Sequence, residues 1–88
     1  MPRFVIERTL PDLSPDELQK VGKKVIAEAD KMNGVTWIKS SISQSEGKSY
    51  CEFEAPNLET LKEHSDKVGL PVDKITTVDI EVDPNMFR

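Results

Sequence analysis

Few side chains in this sequence could do chemistry. Cys51, Tyr50, Trp37 and His64 are the only residues of their kinds, and three of them lie in one stretch, Ser49 to Val68, read S-Y-C-E-F-E-A-P-N-L-E-T-L-K-E-H-S-D-K-V. Glu52 and Glu54 belong to the same stretch, and Glu7 is the matching carboxylate near the N-terminus. Carboxylate oxygens alone favour hard cations, whereas an imidazole or a thiolate shifts preference toward nickel, zinc or copper. Glu7, Glu52 and Glu54, with Cys51 and His64 as conditional ligands, therefore form a candidate set for a divalent metal ion, nickel or zinc. No C-x-x-C or H-E-x-x-H spacing accompanies them, and those spacings are what make a metal motif specific. Trp37 and Tyr50 are the candidate walls of a small-ligand pocket. Each polar candidate also has a structural reading. Cys51 alternates with Phe53 toward a core, and His64 is placed to bond a backbone carbonyl or Asp66 at a helix edge, beside the apolar stripe. Catalysis has less support. A Cys51–His64 nucleophile pair would need an exposed thiol with a neighbour that stabilises the thiolate, and its neighbours are Glu52 and Glu54. No glycine-rich phosphate loop or nucleophile elbow is present, so no catalytic residue is assigned.

Eighty-eight residues make one domain, residues 1–88, able to bury roughly 60 to 65% of its extended surface. Hydrophobic residues at 36% and charged residues at 32% suit a globular chain, and no apolar run approaches the roughly 18 to 20 residues of a membrane span. A single Cys cannot close an internal disulfide, which fits a reducing cytoplasm. Met1-Pro2-Arg3 leads straight into strand-like residues without a signal-type apolar region, which again predicts an unexported, cytoplasmic protein. The net charge of −4 argues against nucleic acid as a partner. Lys20, Lys23, Lys24 and Lys31 share a helix with Glu28 and Asp30 and read as its solvated face.

The elements that must position these residues follow from periodicity. Phe4 to Thr9 reads as a strand, and Ser14-Pro15-Asp16-Glu17 as a capped helix start. Leu18, Val21, Val25, Ala29 and Met32 form an apolar stripe, which Asn33-Gly34 ends. Val35 to Ser43 and Lys48 to Ala55 read as strands joined by the turn Gln44-Ser45-Glu46-Gly47. Asn57 caps a second helix whose stripe is Leu58, Leu61, Ser65 and Val68, closed by Gly69 and Pro71. Thr76 to Val82 alternates as a fourth strand, and Met86-Phe87 is a tail or an arm that docks on a partner. The order β-α-β-β-α-β predicts an α+β, ferredoxin-like sandwich: a four-stranded antiparallel sheet with both helices on one face.

Alternation then sorts the strand residues. Ile38, Ile42, Cys51, Phe53, Val78, Ile80 and Val82 are expected toward the helices, and Trp37, Lys39, Ser41, Tyr50, Glu52, Glu54, Asp79 and Glu81 on the open face. If Phe4 and Ile6 point inward, Val5 and Glu7 join the open face. Such a face is either simply hydrated or a surface that packs on a second copy or holds a small ligand. In a homodimer through this open sheet face, Lys39 and Arg8, or a bound cation, would have to neutralise the gathered carboxylates.

The runs P-R-F-V-I-E-R, W-I-K-S-S, Y-C-E-F-E-A-P and L-K-E-H-S-D-K-V-G-L-P-V-D-K-I resemble a family of small proteins of about this length, known as a domain of unknown function, which includes a bacterial nickel-binding protein. The resemblance spans almost the whole chain. Its matching positions are Glu7, Arg8, Trp37, Ser40, Tyr50, Cys51, Glu54, Ala55, Pro56, Glu63, His64, Gly69 and Pro71. It implies a ferredoxin-like fold, a homodimer and a role in binding nickel or another transition metal. Lys39-Ser40-Ser41 departs from the His-Ser-Tyr of many relatives, which removes an imidazole and a phenol from any site that uses them. The expectation is a small cytoplasmic ligand-binding protein that holds a divalent transition metal as a dimer. Two alternatives stand beside it: a small dimeric-barrel enzyme with a Trp37/Tyr50-lined pocket and His64 as acid or base, and a non-catalytic interaction module.

Overall fold

The computed structural model describes all 88 residues. Strand β1, Arg3–Thr9, alternates half-buried and buried residues, with Phe4, Ile6 and Arg8 buried. Helix α1, Pro15–Asp30, starts at a complete capping box: the Ser14 hydroxyl accepts from the Glu17 N–H, and the Glu17 carboxylate accepts from the Ser14 N–H. That pairing satisfies donors which every helix start leaves open. Strands β2, Thr36–Ser43, and β3, Lys48–Glu54, form the expected hairpin. Helix α2, Leu58–Val68, is capped by Asn57 and stops at Gly69, whose φ of 83° is the left-handed geometry that glycine adopts without strain. Strand β4, Lys74–Val78, completes a sheet of order β2-β3-β1-β4, antiparallel throughout. This is the expected ferredoxin-like arrangement.

The core lies between the sheet and the helices. Phe4, Ile6, Cys51 and Phe53 meet Val25 and Ala29 of α1 and Leu61 and Val68 of α2.

Two registers differ from expectation. Trp37 pairs with Phe53 but Lys39 pairs with Glu52, so Ile38 is an extra residue, a β-bulge. A bulge reverses the facing of everything on one side of it. Ser40 and Ile42, downstream, face the helices opposite Cys51 and Ser49 as alternation requires, while Trp37, upstream, turns inward and Ile38 is exposed.

Strand β4 also begins earlier than its apolar alternation suggests. Asp73 N–H donates to the Glu7 carbonyl at 2.8 Å, which starts the ladder and sets Ile75 opposite Ile6. Val78 then faces the open side, opposite Arg3. The strand stops there because β1 has run out: the next partner of β4 would be Pro2, which carries no N–H to donate. Ile80 and Val82, expected in the core, are 80% and 62% exposed. The chain ends in one 3₁₀ turn, Pro84–Phe87, with Phe87 76% exposed.

Candidate functional site

The sheet divides the candidate residues between two environments. On the open face, Tyr50 sits opposite Glu7, Glu52 opposite Val5 and Glu54 opposite Arg3. Diagonal neighbours in such a ladder lie roughly 7 to 8 Å apart. Lys39 pairs with Glu52 at 3.5 Å, and Arg3 with Glu54 at 3.2 Å. Arg3 also bonds Glu81 of the C-terminal segment, and these two carboxylates raise its pKa. Glu7 makes no ion pair.

Cys51 and His64 lie on the other side of the sheet. Cys51 is a buried free thiol whose sulfur lies 3.9 Å from the Ser49 hydroxyl. His64 is fully buried, at the centre of the α2 stripe rather than beside it. Its Nε2 lies 3.0 Å from the Val25 carbonyl oxygen, so that nitrogen carries the proton and donates. Its ring packs on Phe53 with centroids 5.3 Å apart. The backbone-carbonyl partner was the structural expectation for this residue, and here it clamps α2 to α1.

The five metal candidates therefore split: Glu7, Glu52 and Glu54 on one face, Cys51 and His64 beneath the other. Nowhere in the chain do three His, Cys, Asp or Glu side chains gather so as to hold a metal ion. By itself, one chain does not supply a fit for nickel: the softer donors are sealed in the core, and the open face offers hard oxygens only.

Trp37 and Tyr50 likewise separate. Tyr50 stays on the open face, 41% exposed, while the bulge carries Trp37 under α1, where its Nε1–H donates to Ser40 Oγ at 2.9 Å. A pocket lined by both, with His64 at its wall, is not what the fold builds. Trp37 instead lines a cavity of about 240 Å³ between α1 and the sheet, together with Val21, Gly22, Leu18, Ser49 and Arg8 among others.

Arg8 is a further residue that sequence reasoning misplaced. It was expected to neutralise the open face, yet it is 1% exposed on the helix side. Its guanidinium donates from Nη1 to the Pro71 carbonyl at 2.9 Å and from Nη2 to Ser65 Oγ at 3.3 Å, and Nε–H has no partner. The signal was available: Arg8 shares the parity of Phe4 and Ile6 on β1, and a charge at a core parity is rare enough to be informative.

With both faces described, comparison with known proteins places the chain. The profile of the nickel-responsive SCO4226-like proteins matches residues 4–78, from within β1 to the end of β4. The chain belongs to this family. The crystal structure of SCO4226 from Streptomyces coelicolor A3(2) superposes with a TM-score of 0.79 at 21% identity, covering 91% of this chain and 99% of that one. Protein YJCS, a structural-genomics target, superposes with a TM-score of 0.54 at 21% identity, covering 91% and 97%. No curated protein matches. At such identities the two superpositions speak for the fold. The match ends at Val78, so the exposed apolar segment after it lies outside the match. No helix is long and apolar enough to cross a membrane.

Proposed function

We propose that this member of the nickel-responsive family is a small ligand-binding protein that acts as a homodimer, with a divalent transition metal ion held between the open sheet faces of two copies. The observation that carries this reading is the placement of Glu7, Glu52 and Glu54 on one face, half-buried, with Glu7 forming no salt bridge although Lys74 is its cross-strand neighbour on β4. One copy offers too few donors. A twofold axis over the face doubles the carboxylates and brings like charges together, and a cation between them offsets the repulsion. The half-buried Val5 and Val78, the exposed Tyr50 and the apolar C-terminal segment supply the surface that a second copy would cover.

The test is thermal unfolding of metal-stripped protein with Ni²⁺, Zn²⁺, Cu²⁺ and Mg²⁺, with molar mass measured in parallel. Among the first-row ions Cu²⁺ should stabilise more than Ni²⁺ or Zn²⁺, following their general order of affinities, and an equal response to Mg²⁺ would make the site a general hard-cation site rather than a transition-metal one. An ion at 100 times its dissociation constant adds about 2.7 kcal/mol. Glu7→Gln should remove the shift while leaving the fold intact. A monomeric protein indifferent to every ion would sink the proposal.

A further inference from the structure

The cavity under α1 points to a second site, independent of the metal reading. We infer that it binds a small organic carboxylate, with the acid group on Arg8 and a compact apolar body against Trp37 and the α1 side chains. Arg8 is the first reason. A cation removed from water is costly unless paired, and the usual solution is a carboxylate partner. Arg8 has none: no acidic side chain forms an ion pair with it, its two partners are a carbonyl and a hydroxyl, and its Nε–H is buried without any partner. Guanidinium presents its N–H groups as a planar fork that matches a carboxylate.

The cavity itself is the second reason. Of its 14 lining residues, 10 are hydrophobic, and the rest are Arg8, Gly22, Ser40 and Ser49. Arg8 is thus the sole charge on the wall, and no acidic group competes with a ligand for it. Ser49, 1% exposed, adds a hydroxyl beside it on the lining. An apolar chamber with one convergent charge is the usual form of a small-molecule site. Scaling from a cavity of roughly 150 Å³ that takes one benzene, a volume of about 240 Å³ admits about ten non-hydrogen atoms. An aryl or branched-chain monocarboxylate has that size. Inorganic anions would leave the apolar walls bare, and neutral aromatics would leave Arg8 unpaired.

Phenylacetate is a probe of the right size and charge, 2-phenylethanol its uncharged counterpart, and inorganic phosphate an anion without an apolar body. Thermal unfolding and the fluorescence of Trp37, the single tryptophan, report binding. Phenylacetate at millimolar concentration should raise Tm by several degrees and change the Trp37 emission, and the other two should do neither. Two variants attack the site from different sides. Arg8→Met removes the charge. Gly22→Leu narrows the chamber from α1 without removing the charge; a Cβ at that position meets nothing nearer than Trp37 at 3.9 Å, and far-ultraviolet circular dichroism checks that the longer side chain leaves the fold native. Both should abolish the response. The inference fails if phenylacetate has no effect, if 2-phenylethanol matches it, or if the response survives in Gly22→Leu.

Discussion

Burial, more than residue type, decides what each reactive side chain here can do. Cys51 and His64 are the residues a reader of the sequence would first suspect, and both are structural: one a core thiol, the other a clamp between helices. Asp73 is the opposite case, an unremarked loop residue that ties β4 to its neighbours. It accepts hydrogen bonds from Thr9 and Lys48, and these hold its carboxyl below the ordinary value of 3.8, while Lys48 is held above its own ordinary value by the same pair. A depressed folded-state pKa means that the stabilisation is complete above about pH 3.8 and is lost as pH falls through the folded value. Asp73→Asn should therefore cost stability at neutral pH, and the gap between variant and wild type should close as denaturant titrations move from about pH 5 to about pH 2. A gap of constant size would show that the contribution is not carried by the charge. A backbone carbonyl was one of the two partners expected for His64, but its place at the centre of the α2 stripe rather than at the edge was not. Arg8 was misplaced because a charged residue was assumed to face water, when the β1 parity already put it inside.

Capping and periodicity were readable for both helices, since those signals are local. The Ser14/Glu17 box stands as expected, and Ser14→Ala should lower stability by about 1 kcal/mol in chemical denaturation, with the loss confined to the free energy and the m-value unchanged. Strand existence was equally readable, but register was not, because it is set by partners distant in sequence. The alternation Val78, Ile80, Val82 predicts a buried face only if β1 extends far enough to pair with it, and β1 begins at Arg3. Nothing between Thr36 and Lys39 signals that one residue will be left over, so the placement of Trp37, and with it the cavity, had to await the structure. Of the site residues, the open-face carboxylates were legible because β3 is a regular central strand, while those around the bulge were not.

At the scale of the molecule, the strand order and the one-sided placement of the helices follow from the β-α-β-β-α-β sequence of elements alone, and they leave an open face with an apolar segment beside it. The ion pair of Glu81 with Arg3 ties that segment to the face. If the segment takes part in the proposed dimer, Ile80→Lys should shift the molar mass in light scattering toward the monomer at micromolar concentration while the far-ultraviolet circular dichroism stays native; an unchanged mass would place the interface elsewhere. The bulge at Ile38 has a last consequence of a different kind. Strand β2 forms an outer margin of the sheet, and an outer strand is a template on which foreign strands can add and fibrils can grow. An unpaired extra residue twists that margin out of regular spacing, so deleting Ile38 would leave Trp37 facing inward opposite Phe53 and yet remove that twist. It would straighten the one long exposed edge of the sheet and open it to polymerisation.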